Sequence, residues 1–240
     1  PVAIVTAIGN AAKNGVLIKG GIHLEEAGRL TVVAFDKTGT LTKGTPEVTD
    51  IKNVGIVNEA EVLSIAAAIE KGSQHPLASA IVREAERSGL PVPVAENFVS
   101  ITGKGAKAEV KGIVYYIGSP RLFEELLSDG LDEQILNGIT VSQEQGKTVV
   151  LLGTEKQVLS IIAVADEIRN TSKEAVEKLN RLGIRKTIML TGDNKATAHA
   201  IAHRIGLNEY QAELLPQDKL EAIKRLKSNY GRVAMVGDGV

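Results

Sequence analysis

The sequence has no cysteine and no tryptophan, and aromatic residues make up only 3% of it. Lack of cysteine excludes a disulfide framework and any thiolate metal site. Scarce aromatics remove the stacking platforms that single-stranded nucleic acid requires. A net charge of −1 gives no attraction toward nucleic acid or an anionic membrane surface, so no nucleic-acid partner is expected. No secretory signal pattern is visible. No G-x-x-x-x-G-K-[ST] loop occurs, which excludes nucleotide binding of that type. The longest apolar opening, Pro1–Ala12, carries Gly9 and Asn10 and falls short of the roughly 20 residues a membrane-spanning helix needs. It begins on Pro1 without Met, so the chain reads as a piece of a longer protein.

What is present is a core-forming composition: 240 residues, 43% of them hydrophobic, enough for one large domain or two modest ones. Thr31–Phe35 is a short apolar strand, and Gly44-Thr45-Pro46 is a punctuation cluster that suits a domain hinge. Asn58 caps a helix over Glu59–Glu70, and Pro76 opens a second that Gly89 stops. Phe98–Ile101, Ala106–Val110 and Val114–Ile117 read as strands joined by Gly103-Lys104-Gly105 and Lys111-Gly112 turns. Helices over Pro120–Ser128 and Asp132–Gln145 precede a strand pair, Thr148–Leu152 and Val158–Ala165. After Asp166 the pattern becomes strand–helix alternation, which implies a parallel sheet. Thr31–Phe35 must join that sheet to be buried, so the middle block is an insertion. The expected fold is α/β: a Rossmann-like parallel sheet carrying an inserted α+β, mainly antiparallel domain.

Three strands of the parallel part end alike. Thr31–Phe35 runs into Asp36, Thr187–Leu190 into Thr191-Gly192-Asp193-Asn194, and Arg232–Val236 into Gly237-Asp238-Gly239. Open α/β sheets build their sites at carboxyl strand ends, and a small-residue turn beside Asp36 suits a phosphate next to a carboxylate nucleophile. Gathered carboxylates repel one another and call for a cation, and oxygen ligands favour Mg²⁺. Taken singly, each turn also reads as ordinary punctuation. His199 and His203 lie four apart on a helix, but no third ligand is evident nearby. They read as helix-face residues rather than a zinc pair.

The run Asp36–Thr42, DKTGTLT, resembles the phosphorylation motif of the P-type ATPases. That resemblance implies a haloacid-dehalogenase-type phosphorylation domain (20–47 and 165–240) holding a nucleotide-binding domain (48–164), after a membrane-helix extension and linker (1–19). It implies ATP as substrate, with Asp36 as the nucleophile toward its γ-phosphate and Lys37 and Thr38 in the same catalytic loop. Thr38 stands where the wider superfamily commonly has a second, acid/base Asp, which implies a slowly hydrolysed aspartyl-phosphate. Mg²⁺ would be held by Asp36, the carbonyl of Thr38 and Asp238. Thr191 would hold the transferring phosphoryl group, Lys219 would neutralise it, and Gly192 and Asp193 would border the nucleotide.

Ser73-Gln74-His75-Pro76-Leu77 resembles the SxHPxA element of the heavy-metal pumps. It implies nucleotide contacts from His75 and Glu70, with Gly103, Gly105 and Gly118 letting backbone approach the nucleotide. Asp166 and Arg169 match a hinge pair with a structural role. Ile8–Gly15, IGNAAKNG, resembles the zinc/cadmium/cobalt pumps more than the copper pumps. The expected protein is therefore the cytoplasmic part of a cell-membrane exporter of Zn²⁺, Cd²⁺ or Co²⁺, monomeric as isolated, whose partners are the pump's own membrane and actuator domains. A soluble phosphohydrolase of the same superfamily and a Cu⁺ pump are the alternatives. The chain stops at Val240, before the Asn and Asp that should finish GDGxND, so slow turnover uncoupled from transport is expected.

Overall fold

Apolar, β-branched runs that break at Gly or Asp become strands, and stretches with a 3.6-residue apolar period become helices. The computed structural model describes residues 2–55 and 57–238. Pro1, Gly239 of the last Gly-Asp-Gly turn and the Val240 terminus lie outside the described residues. In chain order the elements are α1 (Val2–Lys13), α2 (Gly21–Ala27), β1 (Val32–Asp36), β2 (Glu47–Asn53), α3 (Glu59–Glu70), α4 (Pro76–Arg87), β3 (Ala95–Ile101), β4 (Gly105–Val110) and β5 (Ile113–Gly118). There follow α5 (Pro120–Leu126), α6 (Glu133–Glu144), β6 (Thr148–Gly153), β7 (Val158–Ala165), α7 (Asn170–Arg181) and β8 (Lys186–Leu190). The last are α8 (Lys195–Ile205), β9 (Glu209–Gln211), α9 (Pro216–Tyr230) and β10 (Val233–Val236). No described helix is long and apolar enough to cross a membrane, and α1 buries none of its residues.

The chain divides into two compact units. The first comprises the described residues of Pro1–Leu41, Asn170–Gly192 and Ala202–Val240. Its sheet has the order β10-β1-β8-β9, all neighbours parallel. Strands covered on both faces read as unbroken apolar runs: Val32, Ala34, Ile188 and Leu190 pack on Ala222 and Leu226 of α9, while Val33, Phe35 and Met189 of the alternate set are also buried. The parallel register sets Asp36 opposite Leu190 and Phe35 opposite Val236. The ends of β10, β1 and β8 are thereby level.

The second unit comprises Thr42–Arg169 and Asp193–Ile201. Its six-stranded sheet, β2-β7-β6-β5-β4-β3, is antiparallel at every pairing. The period-two alternation of a strand sorts its side chains to opposite faces. Val150 and Leu152 join the cluster under α3 and α4; Val149 and Leu151 join the one with Leu122 and Phe123 of α5 and Ile135 and Ile139 of α6. Two edge strands, β2 and the three-residue β9, go beyond the strands expected from the sequence.

Candidate active site

Asp36 is the last residue of β1, and the chain turns at once. Thr38 (φ −74°, ψ 128°) and Gly39 (φ 76°, ψ −17°) have the angles of a type II turn, whose third position needs a positive φ and hence Gly. The same glycine is required by crowding: a Cβ on Gly39 would lie 3.1 Å from Oδ2 of Asp238. The turn after β1 and the residues after β10 are therefore in contact, as the adjacency of those strands dictates.

Lys219 reaches this point from α9. Pro216 fills the first helical turn, where its missing N–H costs nothing. The Asp218 carboxylate accepts a hydrogen bond from the Leu215 N–H at 2.9 Å, fixing the helix start. Lys219, one residue later, donates from Nζ to Oδ1 of Asp36. The Asp36 side chain is only 20% exposed and that of Lys219 31%, so this ion pair is shielded from water more than a surface pair. Thr191 follows β8 and is buried. Its N–H donates to the Gln211 carbonyl and its own carbonyl accepts from Leu214 N–H, which pins the strand end. Gly192 sits 3.3 Å, measured from an added Cβ, from the Leu214 carbonyl. Asp36, Thr38, Thr191, Lys219 and Asp238 thus belong to one unit and one end of one sheet. Asp36, Asp238 and the turn carbonyls offer hard oxygen donors of the kind Mg²⁺ takes. Among the described residues no group of three His, Cys, Asp or Glu forms a protein-only metal cage.

Asp193 falls with the second unit. There its Oδ1 accepts from the Thr148 hydroxyl at 3.5 Å, a long bond.

The second unit holds a cavity of about 410 Å³ lined in part by Glu70, His75, Gly103, Gly105, Gly118 and Thr148. His75 caps α4: its Nδ1 accepts from the Leu77 N–H at 3.2 Å, which leaves the proton of the neutral ring on Nε2. Partial desolvation lowers the imidazole pKa although the residue's outer surface is exposed. Burial pushes the Glu70 carboxyl up to about 7, against a smaller opposing effect from its hydrogen bond with Ser73. A carboxyl that is half protonated near neutrality can donate as well as accept.

The three glycines differ from one another. Gly103 (φ 70°) turns the β3–β4 hairpin with open space around it, whereas a Cβ on Gly105 would lie 2.1 Å from the Ile117 carbonyl oxygen. A Cβ on Gly118 would lie 2.2 Å from that of Lys104. The backbone approach these two permit is therefore first of all between β4 and β5. Phe98 and Lys104 are among the lining residues that the sequence did not mark as site residues. Phe98 packs on Gly72, 2.8 Å from where a Cβ would stand. Lys104 was absorbed into a turn. The signal for Phe98 was its rarity, one of three Phe in the chain, on the edge strand β3.

Asp166 and Arg169 staple the two segments by which the chain enters and leaves the second unit. The Asp166 carboxylate accepts from the Thr42 hydroxyl and from the Gly44 N–H at 3.0 Å, and Arg169 Nε donates to the Thr42 carbonyl at 2.9 Å. These are structural contacts.

A family model described as haloacid dehalogenase-like hydrolase matches residues 30–240. The chain belongs to the haloacid dehalogenase-like hydrolases. Among the curated relatives of this hydrolase is the "Probable cadmium-transporting ATPase" of Alkalihalophilus pseudofirmus, 58% identical over the whole chain, which spans 34% of that protein. Among solved structures, that of a zinc-transporting PIB-type ATPase in the E2.Pi state matches with a TM-score of 0.70 and 43% identity, over 99% of this chain and 38% of that one. The catalytic CPx-ATPase domain CopB-B matches with a TM-score of 0.71 and 27% identity, over 97% of this chain and 80% of that one. The hydrolase thus spans about a third of the length of the curated relatives it matches. It is similar along its whole length to the catalytic portion of P-type ATPases.

Proposed function

We propose that the chain is the ATP-binding and autophosphorylating cytoplasmic part of a heavy-metal cation pump in a cell membrane, exporting Zn²⁺, Cd²⁺ or Co²⁺. The observation that carries this reading is the Asp36–Lys219 ion pair at the carboxyl end of β1, with Asp238 against the turn that follows. Likeness to cadmium and zinc pumps supports the cargo.

In this reading the first unit is the phosphorylation domain and the second the nucleotide-binding domain, whose cavity is lined in part by Glu70, His75, Gly103, Gly105 and Gly118. A carboxylate oxygen of Asp36 attacks the γ-phosphorus of ATP, the bond to the β–γ bridging oxygen breaks, and ADP leaves. Lys219 offsets the charge on the moving phosphoryl oxygens, and the Thr191 hydroxyl and the loop of Lys37 and Thr38 orient them. Gly192 and Asp193 border the incoming nucleotide. Asp36, Asp238 and the Thr38 carbonyl would hold Mg²⁺, which when bound neutralises phosphate charge. Thr38 carries no proton-transferring group, so water is poorly activated and the aspartyl-phosphate persists.

That last feature favours the pump over a soluble phosphohydrolase, which needs rapid release. The test is covalent labelling by γ-labelled ATP with Mg²⁺, quenched in acid. The unaltered chain should carry a hydroxylamine-labile label and Asp36→Asn none; label retained by Asp36→Asn would sink the reading.

A further inference from the structure

Among the residues that line the 410 Å³ cavity, Lys104 is the one permanently cationic side chain; the other titratable groups there are Glu70 and His75. A cavity that takes a nucleotide must also meet the multiple negative charges of its phosphates. The position of Lys104 is fixed from both sides by its backbone. Its N–H donates to the Ile101 carbonyl at 2.9 Å, and its carbonyl accepts from the Ser119 N–H at 2.8 Å, an approach open only because Gly118 has no Cβ. The side chain is the part left to move, and Nζ is held by Oε2 of Glu125 on α5.

Glu125 does not depend on Lys104 alone. Its Oε1 lies 3.4 Å from Nε of Arg121, one helical turn earlier, so the carboxylate keeps a cation when Lys104 leaves. The Lys104 and Glu125 side chains are 32% and 48% exposed, and an ion pair so open to water is exchanged readily. A polyphosphate carries more charge than one carboxylate, and its oxygens bind an ammonium at least as well.

We propose that Lys104 is the phosphate-binding cation of the nucleotide cavity, with Glu125 as the resident counter-ion that polyphosphate displaces. The proposal rests on the nucleotide reading of this cavity. Lys104 is a binding residue in it, and Glu125 sets its affinity by competing for the same ammonium.

Titration calorimetry of the whole 240-residue chain with ATP and with adenosine tests this. Lys104→Gln should weaken ATP about tenfold while leaving adenosine within about twofold, since only the charged part of the ligand loses its partner. Adenosine binding by the variant also shows that the cavity is still folded. Glu125→Gln should tighten ATP several-fold and leave adenosine unchanged. Added salt should weaken ATP less in Lys104→Gln than in the unaltered chain. Undiminished ATP affinity in Lys104→Gln, or an equal loss for ATP and adenosine, overturns the proposal while the nucleotide reading stands. If the unaltered chain binds neither ligand, the nucleotide reading fails and the proposal falls with it.

Discussion

Gly105 and Gly118 stand opposite each other in the β4–β5 register, and each fills the space that a side chain on the other would need. A Cβ on Gly105 would lie 2.6 Å from the Gly118 Cα, and one on Gly118 2.9 Å from the Gly105 Cα. Backbone cannot yield as the tip of a long side chain can. Gly118→Ala should therefore destabilise the chain by about 3 kcal/mol, at the upper end for overpacking. Gly103→Ala, which only forces a left-handed residue into open space, should cost about 1 kcal/mol. Urea unfolding of the two variants reads the difference, and a costlier Gly103→Ala would refute the close-approach argument.

Lys219 is asked to stabilise charge as the phosphoryl group moves. Lys219→Ala should slow covalent labelling by roughly 10²- to 10³-fold, the range seen when a fixed electrostatic donor is removed. Rapid-quench labelling at saturating ATP isolates the transfer step from binding. A variant that labels at the normal rate but binds ATP poorly would move Lys219 to the nucleotide.

Thr38 is exposed and its backbone is extended, so Asp fits there without strain. Thr38→Asp would put a proton-transferring carboxylate two residues from Asp36. It should speed decay of the aspartyl-phosphate by about 10²-fold, the lower end for general base catalysis. The decay of label after an excess of unlabelled ATP is the measurement. Unchanged decay would mean that something other than the missing acid/base group preserves the intermediate.

Glu70 links the cavity to stability. Its pKa in the folded chain is about 7, above the ordinary 4.5, so the folded state holds the extra proton across that window. The contribution of this carboxyl to stability is then greatest below pH 4.5, falls as pH rises to 7, and levels off above, at a total cost of the order of 3 kcal/mol. Glu70→Gln removes the titration. Its stability advantage over the unaltered chain should grow from pH 4.5 to 7 and then stay constant in urea titrations. A constant difference across that range would show that burial does not govern this carboxyl.

Much of the parallel sheet was legible because its strands are short apolar runs cut off by Asp or Gly, a pattern set by burial on two faces. The pairing of three such ends could be reasoned without knowing the order of the strands. What escaped was whatever depends on a partner far along the chain. Strand β2, EVTDIKN, has polar residues on both faces and is defined by its ladder with β7. Strand β9 spans three residues, too few for any period to show. Phe98 enters the cavity through contact with Gly72, and Lys104 through the β4–β5 approach. In the sequence the first is a strand residue and the second a turn residue.

The staple of Thr42, Gly44, Asp166 and Arg169 also bears on how the chain folds. The parallel sheet needs residues on both sides of the long excursion Thr42–Arg169, and closing so long a loop costs about 2 kcal/mol more than closing one a tenth as long. Where β2 and β7 pair, Glu47 lies opposite Ala165, so once the inserted unit has formed its two ends are already side by side. The effective loop then shrinks to the few stapled residues, and Ser172 can meet the Leu41 carbonyl as if the excursion were a short turn. Folding of the insertion thus brings together the halves of its host, and a destabilised insertion should slow assembly of a sheet with which it shares no strand.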